Sequence, residues 1–147
     1  MTSRRHLLLA ACSLPLGLSR PVQACDFFSS RLRIWHPWTR ATRVDADSAK
    51  VCMRFDEVRE TDRLIGVETP VAGGCRLAGP GIPPDRAGLS LLIKQGEEIT
   101  LTEDGLHIEL LDLQHPLQVG RSFALRLIFE SAGAVETALN VDYAGPR

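Results

Sequence analysis

SFALRLIFESAGAVETALNVD, residues 122–142, decides the fold. In its first half Phe123, Leu125, Leu127 and Phe129 alternate with Ala124, Arg126, Ile128 and Glu130. In its second half Val135, Thr137, Leu139 and Val141 alternate with Glu136, Ala138, Asn140 and Asp142. Side chains on a strand point to opposite faces in turn, so each half is a strand with one face to bury. Ser131-Ala132-Gly133-Ala134 between them supplies the turn of a hairpin. The same period recurs upstream. Val51, Met53 and Phe55 alternate with Cys52, Arg54 and Asp56, and Leu106, Ile108 and Leu110 with His107, Glu109 and Leu111. Shorter candidate strands cover 32–36, 64–68, 89–93 and 98–101. Glycine and proline clusters punctuate the chain between them, and 79–88 reads as a long surface loop. No helical period runs long enough to compete. Regular short strands of this kind predict an all-β sandwich or barrel. Its expected core is Phe123, Leu125, Leu127, Phe129, Leu139, Val141, Ile108, Leu110 and Phe55.

The chain has 147 residues, one domain's worth. Its 44% hydrophobic and 24% charged residues are those of a globular protein. A formal net charge of −1 offers no positive field for a phosphate backbone, which argues against nucleic acid as a partner. No G-x-S-x-G elbow or other arrangement of nucleophile and base is recognisable, so an enzyme is not expected. Of two methionines, one is the initiator and the other is Met53.

Residues 1–24 read as an export signal. Arg4 and Arg5 precede an apolar run over 7–18, about half of the roughly 20 residues a membrane-crossing helix needs. Val22-Gln23-Ala24 fits a small-residue cleavage site. The paired arginines leave twin-arginine and general export both open. Residues 25–147 are then a single exported domain, expected in the periplasm. Cys25 would be its first residue and a candidate lipid anchor; without such an anchor no membrane association is expected. Cys12 is a poorer candidate, because too little apolar chain precedes it. Cys25, Cys52 and Cys75 remain after cleavage, an odd number in an oxidising compartment. The sequence leaves a Cys52–Cys75 disulfide open.

His107 and Glu109, two apart on one strand, share a face about 6.5–7 Å apart. They are the candidate metal-binding pair, and their hard donors favour Cu(II) or Zn(II). The competing reading is that both line a solvent face. His36 and His115, each beside a proline, are expected at the surface. Trp35 and Trp38 are expected on opposite faces or across a bend, Cys52 partly exposed, and Cys75 at the start of a short strand.

Several segments resemble one family. Pro37-Trp38-Thr39-Arg40-Ala41-Thr42 is similar to the A-W-A-R-A-T opening of the periplasmic copper chaperones called PCu(A)C. The stretch 62–72, DRLIGVETPVA, resembles their D-R-L-V-G-A-x-S-P-V-A segment. Residues 106–113, LHIELLDL, resemble their Y-H-I-M-L-M-G-L strand, 116–120 their P-L-K-E-G turn, and 125–133 their closing hairpin. Order and spacing agree over about 34–141. The resemblance implies a cupredoxin-like, two-sheet Greek-key sandwich. It also implies copper as the bound metal, held in the family by His and Met, and delivery towards cytochrome oxidase with its assembly proteins as partners. The ligands carry over poorly. Against the family's V-E-L-H-E-M, residues 75–80 read CRLAGP, with Ala78 at the His position and Pro80 at the Met position. His107 is kept, but Glu109 stands where the family has Met. The expectation is a copper-handling protein with a degenerate site. A binding or structural module that has abandoned metal is the alternative.

Overall fold

The computed structural model of the protein describes residues 26–143. Ten strands account for its regular structure: β1 Asp26–Phe28, β2 Arg33–Arg40, β3 Ser48–Asp56, β4 Asp62–Glu68, β5 Ala72–Ala78, β6 Leu91–Ile93, β7 Ile99–Thr100, β8 His107–Leu113, β9 Ser122–Phe129 and β10 Gly133–Asp142. The terminal hairpin forms as its alternation requires, with register from Phe129–Gly133 to Ser122–Asn140. Gly133 turns the chain at a φ of 78°, in the left-handed region. Asp62 braces the turn from outside: its carboxylate accepts the backbone N–H groups of Ser131 and Ala132, each at 2.9 Å.

Hydrogen bonding runs unbroken through β5-β8-β3-β2-β10-β9-β4-β6, with β1 beside β2 and β7 beside β3. β2 joins β10 in parallel, while its bond to β3 is antiparallel. Two strands therefore separate β3 from β9 along the sheet. Even so, the rings of Phe55 on β3 and Phe129 on β9 meet edge to face, with centroids 6.3 Å apart. The sheet folds over on itself, and the two halves bury their inner faces against each other as an all-β, cupredoxin-like sandwich. Eight of the nine expected core residues are buried there; Phe123 is only partly buried, packed against the core edge and beside His115.

Strand ends depart from the sequence pattern where backbone geometry overrides it. β6 and β7 are shorter than expected. β5 runs through Gly73-Gly74, so Cys75 lies in mid-strand rather than at its start. A Cβ at Gly73 would lie 2.5 Å from Asp112 Oδ2, so glycine here makes room for the neighbouring strand. β2 continues through Pro37 by means of a bulge. Trp35 pairs with Arg54 and Trp38 with Cys52, three residues on β2 against two on β3. The extra residue restores the phase, so Trp35 and Trp38 lie across a bend on the shared outer face rather than on opposite faces. His36 takes up the irregularity with a φ of 44°.

The segments that carry the family resemblance tie the layers together. Thr42 exchanges hydrogen bonds with Leu117: its N–H donates to the Leu117 carbonyl at 2.9 Å, and its hydroxyl accepts the Leu117 N–H at 2.8 Å. Arg40 clamps Glu103 and reaches the Tyr143 carbonyl.

Candidate metal site

β8 sits between β3 and β5. Its register sets Ile108 against Val51 and Leu77, all three in the core, and turns the alternate residues outward. His107 faces Ala78 of β5, and Glu109 faces Arg76 of β5 and Lys50 of β3. His107 and Glu109 thus lie on one outer face, as their spacing requires. That face is not open to solvent at His107, which is only 7% exposed.

The cover is a five-residue excursion, 102–106, between β7 and β8. The Leu101 N–H still donates to the Met53 carbonyl at 2.8 Å. The Thr102 N–H then closes on the Leu106 carbonyl at 2.9 Å, and the chain between them folds over the outer face. Arg40 pins the loop with Nε and Nη2 on the two carboxylate oxygens of Glu103, at 2.6 and 2.8 Å. Lys50 donates to the Glu103 carbonyl at 3.0 Å. The Arg40 guanidinium holds the Glu103 carboxyl below its usual range. Gly79, at the end of β5, has a φ of 130°, and a Cβ there would lie 2.6 Å from the Gly105 carbonyl oxygen. That carbonyl accepts from His107 Nδ1 at 2.8 Å. A ring nitrogen that donates to a carbonyl carries the proton, so Nε2 bears the lone pair.

Glu109 is engaged. Arg76 places both Nε and Nη2 on Oε2, at 2.6 and 2.5 Å, and binds the Pro84 carbonyl with Nη1. Ala78 offers no donor opposite His107. Among the described residues no three His, Cys, Asp or Glu side chains gather as a metal cluster.

Cys52 and Cys75 are free thiols. Cys75 shares the inner face with Leu110, whereas Cys52 shares the outer face with Trp38. Opposite faces on strands separated by β8 cannot be bridged by a disulfide. Cys52 is 1% exposed rather than partly exposed, because the 102–106 loop covers its face. Burial and then the charge of Glu103 push its thiol up to about 11, against the opposing pull of Lys50 and Arg40. Burial likewise raises Cys75, and the Val67 amide opposes it. Beside the loop lies a groove of about 360 Å³ walled by Trp35, Trp38, His36, Thr102 and Glu103. Arg54 stacks on Trp35 at 4.5 Å. His115 is at the surface, its ring against Phe123.

The sequence profile of the LpqE-like family, named for a lipoprotein, matches residues 32–141. The chain belongs to that family. Its PCu(A)C-type character is carried by solved structures. The apo PCuAC domain from PmoF1 is 25% identical with a TM-score of 0.72, over 81% of this chain and 99% of that chain. The copper-bound PCuAC domain from PmoF2 is 24% identical with a TM-score of 0.71, over 81% and 98%. The Cu(I) form of DR1885 from Deinococcus radiodurans is 23% identical with a TM-score of 0.60, over 74% and 76%. No curated protein matches the chain. In this LpqE-like protein the sequence pattern missed Arg76, Glu103, Gly79 and Gly105 as shapers of the site. Only the Arg76–Glu109 pair left a signal, a cation and an anion in facing register once β5 and β8 are paired.

Proposed function

We propose that this protein is an exported copper carrier of PCu(A)C type whose metal site has been thinned to His107, with Glu109 beside it. The single observation that carries the reading is His107 itself: nearly buried on the outer face, with Nδ1 tied to the Gly105 carbonyl and Nε2 left as a donor. Further support comes from likeness to a copper-bound PCuAC domain and to the Cu(I) form of DR1885. Copper is cargo here, not a reagent, and a carrier rather than an enzyme fits this family. Glu109 is a minor contributor while Arg76 neutralises it. One imidazole and a shared carboxylate retain Cu(I) poorly, because soft cations prefer sulfur. Delivery towards cytochrome oxidase and contact with its assembly proteins are part of the proposal. So are export through residues 1–24, a periplasmic location and a lipid anchor at Cys25, all outside the described residues.

Anaerobic Cu(I) titration of the mature chain against a Cu(I)-selective chelator tests the reading. Binding weaker than that of a full His/Met site, and weakened further by His107→Ala, is expected. Identical binding by wild type and His107→Ala would refute it. The Arg76–Glu109 ion pair favours the alternative, a metal-free binding module, and the absence of Cu(I), Cu(II) and Zn(II) binding alike would support that alternative.

A further inference from the structure

Resting on the copper-carrying reading, we propose that Cys52 is the soft partner of His107, and that Cu(I) binds between Cys52 Sγ and His107 Nε2 beneath the 102–106 loop. Nothing in the family's His/Met pattern assigns a role to position 52. The geometry does. Val51 faces Ile108 in the antiparallel β3–β8 pair, so continuing that register by one residue brings Cys52 opposite His107. Directly facing residues on one face have Cβ atoms about 4.5–5.5 Å apart. Taking zinc bond lengths as a guide, about 2.3 Å to thiolate sulfur and about 2.0 Å to imidazole nitrogen, a metal between them needs a span of about 4.3 Å. A thiol and an imidazole extending from such Cβ atoms span that distance.

Both side chains are more than nine-tenths buried, and the His107 ring is held through Nδ1 on the Gly105 carbonyl, which leaves the lone pair on Nε2. Two donors suffice for a soft, closed-shell cation, which accepts a linear thiolate–imidazole pair. They would not satisfy Zn(II), which takes four ligands. Trp38, next to Cys52 in register, and the 102–106 loop exclude water and competing thiols. The Trp35–Trp38 groove borders Thr102 and Glu103 and so opens towards the loop, giving the ion an approach. As the Sγ–Cu bond forms, the Cys52 proton leaves to solvent. Copper stays Cu(I), so no oxidant or reductant takes part. Cys75 points into the core and takes no part.

The test is Cu(I) competition against bathocuproine disulfonate under anaerobic conditions, joined to X-ray absorption of the Cu(I)-loaded wild type. Cys52→Ser, Cys52→Ala, Cys75→Ser and His107→Ala are compared, with folding checked by circular dichroism. The expected result is one sulfur and one nitrogen at copper. Either Cys52 change should weaken binding by about tenfold or more, ~1.4 kcal/mol. His107→Ala should do the same, and Cys75→Ser should leave affinity unchanged. A sulfur-free copper spectrum overturns the proposal even if the Cys52 variants fail to fold. If His107→Ala alone weakens binding, Cys52 is not the ligand and the copper-carrying reading stands. If wild type binds no Cu(I), both fall together.

Discussion

Arg76 is the residue that most distinguishes this outer face from an open metal site. Its two N–H groups on one oxygen of Glu109 are a charge-assisted pair between half-buried side chains. Removing the cation frees the carboxylate beside His107. Arg76→Gln should therefore raise affinity for Cu(II) and Zn(II), measured by calorimetry on the mature chain. Unchanged or lower affinity would mean that Glu109 cannot turn towards His107. Asp62 makes the corresponding prediction for stability. Burial by itself would raise its pKa. The N–H groups of Ser131, Arg63 and Ala132 outweigh that and hold it below the usual carboxylate range. A depressed folded-state pKa means that its stabilisation is complete above the unfolded value of about 4 and is lost as pH falls below it. Urea melts of wild type should weaken as pH falls below about 4, and Asp62→Asn should flatten that acid limb. Equal acid limbs in the two proteins would remove Asp62 from the account. Residue by residue the site was only half legible. The spacing of His107 and Glu109 gave their common face, but no local pattern reports that a loop closes over one and an arginine from another strand binds the other.

β2 is where element and sequence disagree most usefully. Trp35 and Trp38, three apart, would fall on opposite faces of a regular strand. The bulge at His36 brings both to the outer face and builds the groove between them. His36 tolerates its φ of 44° better than a β-branched residue would. By strand propensity alone His36→Val should stabilise the protein. The observed backbone predicts the reverse, a loss of about 1–2 kcal/mol in a thermal or urea melt. A stabilised variant would show that β2 straightens in solution. In β5, too, two glycines that read as breakers lie within the strand, and Gly73 makes room for Asp112 on β8. Strands whose inner face is a clean apolar alternation, such as β9 and β10, were legible. Strands shaped by a neighbour's side chain were not.

Over the whole molecule the resemblance and the strand pattern agree for one physical reason. The segments most like the family are architectural: Asp62 under the terminal turn, Thr42 on Leu117, Arg40 on Glu103. They hold the two layers in place whatever metal is carried, so the fold was legible where the ligands were not. The core they enclose is continuous. Phe129 is 2% exposed and meets Phe55 across it, so Phe129→Ala should cost about 3–5 kcal/mol in urea unfolding. A cost below about 1 kcal/mol would mean the layers are not packed through these rings. The claim on which the rest depends is that this sandwich carries copper through His107. Metal content of wild type and His107→Ala, each recovered from the export compartment of copper-replete cells, tests it most directly. Copper is expected bound to wild type and lost from His107→Ala. Copper absent from wild type, or present equally in both, would contradict it.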